Sequence, residues 1–469
     1  MRSIGKRSAE WQVWKQLPVA LLALTVAGCF AAPTGVEKGK KIGTGKSFIE
    51  ETKVALTPEA APAGWDSERV MSGQDDWEPA NAVDPVNSNY VYQLTTRYTG
   101  PKPCGNCKMP VIILRRSTDG GATFVESFLS TTGKSQYDPQ IVVASSGWVY
   151  AVFLDAFTPG SSFVRSTDRG VTWSAPITWS GKGKKPQWND KPWLGISRDG
   201  QHVYLGFNSS DSYVVSSHDF GVSFSAPVKT NTDTRYWFHS GMNVSPSNPM
   251  IAYFATSNYS SGNNYNGDSN VVILRTANGG TSWTEIPIDT SREVPLCDWA
   301  AGCGQGFLGT QAALAMDSAG KLMVVYNAND TPDVPEQIYY KTSTDGLTWS
   351  ARVKLSVASA AVNNGFPMAV AHPTAAGDFR VVWQDDRILS HTGWNTWYKR
   401  TTNGGTNWTA DARISDLTSG APYKTVNGYA FPYGDYGEID VDSTGKNHVV
   451  WGEGASYTGP GGTWFTRGQ

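Results

Sequence analysis

Acidic side chains that could transfer protons occur at comparable places in successive segments of the chain. Each lies at the beginning or the end of a short, alternating apolar run. Carboxyl groups so placed can act as general acids or general bases, and glycoside cleavage needs two of them facing one substrate. The candidate catalytic carboxylates are Asp138, Asp155, Asp190, Asp386 and Glu453.

Aromatic and cationic residues accompany these acids. His239 and Tyr436 are further candidate catalytic groups, because an imidazole or a phenol can accept or donate a proton. Tyrosine can stack on a sugar ring, and arginine can bind an acidic substituent through two parallel hydrogen bonds. The candidate substrate-binding residues are Arg97, Lys191, Arg235, Tyr236, Arg387 and Asp435.

Several of these residues also have a structural interpretation. Asp138 and Asp190 lie beside or near a proline at the start of a strand, where aspartate commonly caps a turn. Asp386 and Arg387 could form a salt bridge within one loop. His239 ends an aromatic segment, which is typical of a buried and hydrogen-bonded histidine.

An octapeptide that recurs six times predicts the elements that must position these residues. Its first copy reads Ser117-Thr-Asp119-Gly-Gly121-Ala-Thr123-Phe124. Asp or Asn before Gly predicts a tight turn with positive φ, stabilised by hydrogen bonds from turn amides to the Asp and Ser/Thr side chains. Apolar runs before each copy and further upstream predict four short strands per unit, as in a propeller blade. The copies begin at Ser117, Ser166, Ser217, Thr276, Ser343 and Thr401.

This octapeptide is the Asp box, and residues 70–469 resemble the bacterial Asp-box, or BNR-repeat, β-propellers of the sialidase-like glycoside hydrolases. The resemblance implies a propeller whose working face lies opposite to the boxes. It also implies exo-α-sialidase-like hydrolysis of a glycan by acid/base chemistry at the propeller axis. The Phe/Tyr-Arg-Ile-Pro motif that carries the first substrate-binding arginine of sialidases is absent, which leaves the sugar open.

Counting strands beyond the boxes predicts seven blades, with six as the alternative. Three more strands follow the last box, so the last blade lacks its outer strand. A strand donated from the N-terminal side, for which Phe48–Thr57 is the candidate, would close the ring and remove the open sheet edge. The expected fold is an all-β, seven-bladed β-propeller of four-stranded antiparallel blades, closed by an N-terminal strand.

The first 29 residues have the features of a bacterial export signal. Basic residues precede an apolar stretch from Leu17 to Gly28, and Cys29 follows Ala-Gly as in a lipobox. We expect lipidation of Cys29, which then becomes the first residue of the mature protein, with ordinary cleavage near Ala31-Ala32 as the alternative. Residues 30–65 are expected to form a tether and residues 66–469 the propeller. The predicted location is the cell envelope, as a lipoprotein, or the exterior, as a secreted protein.

The other four cysteines form two local pairs. In an oxidising compartment, Cys104–Cys107 and Cys297–Cys303 are expected to be disulfides, and a zinc site made of all four is the alternative. No phosphate loop or metal cage is recognisable, so no cofactor and no metal are expected. Lys+Arg 39 against Asp+Glu 41 gives a net charge of -2, which indicates no nucleic-acid partner. We expect a monomer.

Three functions from different classes are compatible with these features. A glycoside hydrolase would use two of the candidate carboxylates. A polysaccharide lyase acting on uronate-containing polymers would use Arg235, Tyr236 and His239 to neutralise the uronate and move the proton. A non-catalytic propeller would bind a glycan or a protein through its aromatic residues. The number of acids at strand ends favours the hydrolase.

Overall fold

A computed structural model of the chain shows seven antiparallel sheets arranged as the blades of a β-propeller. The seven-bladed prediction is confirmed, and the six-bladed alternative is wrong. No helix that could cross a membrane occurs among the described residues. The structure describes residues 60–469 except 131, 159, 180–188, 261–266, 295–308, 357–358, 360, 389–392, 416–420, 423, 426–427, 430–435 and 455–460.

The strands are numbered in chain order. The first part of the chain contains β1 (Arg69–Val70), β2 (Asp76–Val83), β3 (Val91–Arg97), β4 (Val111–Ser117), β5 (Val125–Phe128), β6 (Gln136–Val143), β7 (Val149–Asp155), β8 (Gly160–Ser166), β9 (Ile177–Thr178), β10 (Asp190–Ile196), β11 (Val203–Ser209), β12 (Asp211–Ser217) and β13 (Val228–Lys229). The middle part contains β14 (Tyr236–Val244), β15 (Ala252–Tyr259), β16 (Ser269–Thr276), β17 (Thr284–Ser291), β18 (Ala312–Met316), β19 (Leu322–Ala328), β20 (Gln337–Ser343) and β21 (Val353–Lys354). The last part contains β22 (Asn364–Ala371), β23 (Phe379–Asp385), β24 (Gly393–Thr401), β25 (Ala412–Arg413), β26 (Ala421–Pro422), β27 (Lys424–Thr425), β28 (Gly428–Tyr429), β29 (Glu438–Val441), β30 (Asn447–Gly454) and β31 (Gly461–Gly468).

Blades 1 to 6 each contain four consecutive strands, from β2–β5 in blade 1 to β22–β25 in blade 6, where β26 also pairs with β24. Blade 7 has the order β29, β30, β31, β1. Its outer strand therefore comes from the N-terminal side of blade 1, which closes the ring as predicted. The closing strand is Arg69–Val70, paired with Phe465 and Trp464, and the candidate Phe48–Thr57 lies outside the described residues.

All six octapeptides form the same turn. The hydroxyl of the first residue accepts a glycine amide at 2.8–3.1 Å, as Ser166 does from Gly170. The Asp or Asn side chain accepts the amide of the second-to-last residue at 2.8–3.0 Å. The closing aromatic ring packs on a neighbouring ring, as Trp408 does on Tyr340 with centroids 5.4 Å apart. The repeat therefore builds the outer hairpin of each of blades 1 to 6.

Packing between neighbouring blades is apolar at six of the seven junctions. Clusters of buried aliphatic and aromatic side chains span each junction from blade 1–blade 2 to blade 6–blade 7. Among the described residues no such cluster spans the junction of blade 7 with blade 1. Polar contacts occupy it instead: Glu438 accepts the amide of Asn81 at 2.7 Å, and Asp440 accepts that of Val83 at 2.7 Å. The ring thus has one hydrogen-bonded seam.

The two faces of the propeller have connections of different kinds. On the face with the boxes, the links from first to second strands and from third to fourth strands are short and similar in length. On the opposite face, the links range from the single residue Ser210 to the segment 414–437. One of these, between β3 and β4, contains the predicted Cys104–Cys107 disulfide, which the structure confirms. Cys29, Cys297 and Cys303 lie outside the described residues.

The turn geometry predicts how one box stabilises the fold. Asp168 accepts the amides of Thr172 at 2.8 Å and Val171 at 3.1 Å. Asp168→Ala should lower the free energy of unfolding at pH 7 by about 1 kcal/mol, because these exposed hydrogen bonds are only partly replaced by water. Asp168→Asn should cost much less, since Asn278 already accepts the equivalent amide in the fourth box. Equilibrium denaturation measures both, and equal losses would contradict the prediction.

The stability at low pH should distinguish the wild-type protein from Asp168→Asn. Hydrogen bonds from Thr172 lower the pKa of Asp168 to about 2. A lowered pKa stabilises the folded state above the unfolded value near 4, and this contribution is lost as the pH falls toward 2. The wild-type protein should therefore lose more stability between pH 5 and pH 2 than Asp168→Asn, which has no carboxyl group there. An equal loss in the two proteins would show that the turn does not depend on the charge.

Candidate functional site

Four innermost strands contain the same irregularity near their first residues. In each, a non-glycine residue followed by proline has a positive φ: Glu78 (55°), Asp138 (49°), Lys191 (46°) and Phe366 (53°). The pairing register with the second strand shifts across it. Proline cannot donate to the ladder, so the strand bulges and redirects the preceding side chain. Such φ values cost about 1–3 kcal/mol each and concentrate at functional sites.

These bulges bring carboxyl groups from three neighbouring blades together. Glu78 of blade 1 accepts hydrogen bonds from the Thr96 hydroxyl at 3.0 Å and from the amide of Asp138 at 3.2 Å. Asp138 of blade 2 lies close enough to Asp190 of blade 3 for the two carboxyl groups to interact electrostatically. All three carboxyl groups are buried, with at most 1% of each residue exposed. We call Glu78, Asp138 and Asp190 the carboxyl cluster.

Asp138 and Asp190 are both buried, and burial opposes the charge of a carboxylate. Burial and the neighbouring charge of Asp138 raise the pKa of Asp190 well above its ordinary value, although Lys191 opposes this shift. We therefore expect the pair to hold one shared proton at a pH where isolated aspartates are ionised, and to act as a proton donor.

Lys191 and two aromatic rings lie beside this cluster at the propeller axis. The Lys191 Nζ atom is 5.5 Å from the centroid of the Tyr436 ring. Trp193 approaches the same ring edge-on, with centroids 6.1 Å apart. Lys191, Trp193 and Tyr436 line an axial cavity of about 320 Å³ that the innermost strands of all seven blades surround. The hydroxyl of Tyr436 donates to the carbonyl oxygen of Pro139 at 3.4 Å.

The other candidate acids are engaged elsewhere. Asp155 contacts Lys134 at 3.5 Å and accepts a hydrogen bond from Gln136 at 3.3 Å. Asp386 accepts both the amide and the side-chain nitrogen of Asn363, at 2.9 and 2.7 Å. Glu453 accepts the indole N–H of Trp451 at 2.7 Å. None of Asp155, Asp386 and Glu453 lines the axial cavity, and the carboxyl cluster does not line it either but adjoins it through Lys191.

Two candidate arginines lie in internal ion pairs. Arg97 binds Asp76 at 2.7 and 2.9 Å and Glu126 at 3.0 Å, and only 4% of the residue is exposed. Arg387 binds Asp385 and Asp411, each at 2.6 Å, and stacks on Trp397. Because their guanidinium N–H groups already bind carboxylates, neither arginine has a pair of N–H groups available to bind a substrate.

The residues expected to serve a lyase each have contacts of their own, and His239 is one of the residues that line the axial cavity. His239 shares a 3.0 Å hydrogen bond with the Ser212 hydroxyl, and burial lowers the pKa of His239 to about 3. Arg235 donates to the carbonyl oxygen of Asp268 at 2.8 Å. Tyr236 packs on the ring of Phe238, with centroids 5.1 Å apart. Asp435, the last candidate for substrate binding, lies outside the described residues.

Three acids of raised pKa were not among the candidates. Glu438 and Asp440 are half-buried and line the axial cavity. Loss of solvent raises the pKa of Glu438 well above its ordinary value and that of Asp440 to about 6, although each accepts a backbone amide across the seam. Burial also raises the pKa of Glu336 to about 8, against hydrogen bonds from Ser291, Thr310 and Asn327. The alternation in Glu438-Ile-Asp440-Val is typical of a strand with one solvent-exposed face, so the sequence gives no signal that both acids face the cavity.

Stability measurements can test the shared proton. The unfolded chain releases the Asp190 proton near pH 4, whereas the folded protein retains it to higher pH, so this residue destabilises the fold increasingly as the pH rises. Asp190→Asn keeps an acceptor for the Lys191 amide, 2.9 Å away, and offers Asp138 a permanent N–H donor. The variant should melt higher than wild type at pH 7 and show a smaller difference at pH 4. A lower melting temperature at pH 7 would contradict the shared proton.

Asp386→Asn should destabilise the protein at pH 7, whereas Asp190→Asn should stabilise it. The new amide group would face the side-chain nitrogen of Asn363, so one of two hydrogen bonds would be lost. We expect the free energy of unfolding to fall by about 1–2 kcal/mol at pH 7. Chemical denaturation measures this, and a stability equal to that of wild type would show that the Asn363 contacts contribute little.

Comparisons with known proteins give distant similarities to solved structures. No protein-family model matches the chain, and no curated protein matches it. Among solved structures, the Hadza microbial sialidase Hz136 is 11% identical over 88% of this chain and 99% of its own, with a TM-score of 0.47. A PL25 ulvan lyase bound to a GlcA–Rha3S unit is 11% identical over 84% of this chain and 94% of its own, with a TM-score of 0.48. YCF48 bound to the D1 peptide is 13% identical over 89% and 99%, with a TM-score of 0.45. These similarities are too distant to carry an argument about activity.

Proposed function

We propose that this protein is a glycoside hydrolase whose active site is the end of the axial cavity beside the carboxyl cluster. The observation that carries the proposal is the group of three buried carboxyl side chains at the strained bulges, next to Lys191 and Tyr436. Glycoside cleavage needs a carboxylic acid that stays protonated near neutral pH, together with a second carboxylate. The cluster contains both kinds of group.

The roles follow from the surroundings of each residue. Asp190, whose pKa is raised, protonates the leaving-group oxygen, and the water that attacks the sugar supplies the proton that restores the Asp138–Asp190 pair. Glu78, held by Thr96 and the Asp138 amide, is the second carboxylate. Trp193 and Tyr436 supply aromatic surface for a sugar ring, and Lys191 supplies a cation beside it. The strained bulges fix these side chains on rigid strands instead of loops.

The proposal includes a location. The export signal and Cys29 support a protein carried to the cell envelope and held there by a lipid, with the propeller outside the membrane. A glycan or polysaccharide outside the cell is then the partner. We propose that the propeller works as a monomer, because one ring contains the whole cluster.

The test is mass spectrometry of products after incubation of residues 30–469 with sialylated, neutral and uronate-rich glycans. A hydrolase adds one water for each bond cut. Cleavage that leaves an unsaturated uronate without added water would identify a lyase. Binding without cleavage across the whole panel would identify a non-catalytic propeller, and either of these results would overturn the proposal.

Once a substrate is found, variants should locate the acid. Asp190→Asn should lower kcat by about 100-fold or more, because it removes the proton donor and keeps the shape. Glu336→Gln is the matched control: it also neutralises a buried carboxyl group of raised pKa, but Glu336 is hydrogen-bonded to Ser291, Thr310 and Asn327 and not to the carboxyl cluster. It should retain wild-type kcat. Equal activity of the two variants would exclude Asp190 as the acid.

A further inference from the structure

A pair of histidines on the Asp-box face includes one departure from the repeat. His218 is the second residue of the third octapeptide, where the five other copies have Thr or Ala. His202 lies in the neighbouring link between β10 and β11. Their imidazole rings meet with the two Nδ1 atoms 2.8 Å apart. This contact belongs to the opposite face from the carboxyl cluster and serves no step of the proposed reaction.

The surroundings of His218 determine which of its nitrogens is available. Its Nε2 atom is 3.0 Å from the carbonyl oxygen of Gly279. A carbonyl oxygen only accepts hydrogen bonds, so Nε2 carries the proton and the neutral ring has its lone pair on Nδ1. That lone pair is directed at His202. Metal-binding histidines are held in the same way, with the non-ligating N–H bound to a carbonyl or carboxylate.

We propose that His202 and His218 bind one divalent transition-metal ion through their Nδ1 atoms. His202 contributes a neutral ring when its proton occupies Nε2 instead of Nδ1, so both ligands are uncharged imidazoles. Asp199 adds a nearby negative charge, which acts on His202 and favours a cation there. No group of three or more His, Cys, Asp or Glu side chains in the described part of the chain could hold a metal. Water must therefore complete the coordination.

The distance between the nitrogens selects the metal. With metal–nitrogen bonds of about 2.0–2.1 Å, a 2.8 Å separation gives an angle of roughly 85–90° at the ion. This angle fits adjacent positions of a square-planar or octahedral ion and is too small for a tetrahedral one. Cu²⁺ and Ni²⁺ adopt such geometries, whereas Zn²⁺ in proteins is most often tetrahedral. The site should therefore prefer Cu²⁺ and Ni²⁺ to Zn²⁺.

Titration calorimetry of the protein with Cu²⁺, Ni²⁺ and Zn²⁺ tests the proposal. The wild-type protein should bind one Cu²⁺ or Ni²⁺, and the electron paramagnetic resonance of the Cu²⁺ form should show coupling to two imidazole nitrogens. His202→Ala and His218→Gln should each weaken this binding by roughly tenfold or more. Glutamine at 218 can still donate to Gly279, so thermal melting should confirm that both variants fold as wild type does.

His372→Ala is the matched control, because His372 lies on the same face but its Nδ1 atom already accepts the amides of Thr374 and Ala375. This variant should bind the ions as wild type does. Absence of a one-to-one Cu²⁺ complex, binding unchanged in both histidine variants, or Zn²⁺ bound more tightly than Ni²⁺ would overturn the proposal.

Discussion

Ring closure is the constraint on which the rest of the structure depends, because the axial cavity exists only while blade 7 is held against blade 1. The donated strand Arg69–Val70 achieves this with few backbone contacts. Charged side chains reinforce them: Arg467 pairs with Asp66, and the Arg69 guanidinium lies 5.4 Å from the ring of Phe124 and 5.2 Å from that of Phe465. These contacts connect the first box with the last strand.

The hydrogen bonds between blade 7 and blade 1 fix the register of the two blades more specifically than apolar packing would. Hydrogen bonds are directional, and a buried amide or carboxyl group without a partner costs about 1–3 kcal/mol or more. Glu438 and Asp440 reach the amides of Asn81 and Val83 only in one register of β29 against β2. Tyr436 lies just before the same strand, so the seam also sets its position against Lys191.

Much of the fold could be predicted from the sequence, because each octapeptide encodes its turn through local contacts. A closing strand from the N-terminal side was predicted, but its position at Arg69–Val70 was not, because a two-residue strand has no recognisable period. In the site, Asp138 was found because it lies at the start of an alternating apolar run. Glu438, Asp440 and Glu336 were missed because their surroundings come from strands distant in sequence. The partners of Arg97 and Asp386 likewise come from tertiary contacts, which composition and spacing do not reveal.

The unequal connections on the two faces have a consequence for how such a protein can change. Links on the box face are kept short by turns whose hydrogen bonds repeat from blade to blade, so an insertion there would disturb the ring. Links on the opposite face vary from Ser210 alone to 414–437 without altering the strands that they join. Segments can thus lengthen, shorten or be replaced around the axial cavity at little cost to folding. The links on the box face thus maintain the fold, and the links on the opposite face can change in length and sequence to alter which ligand is bound.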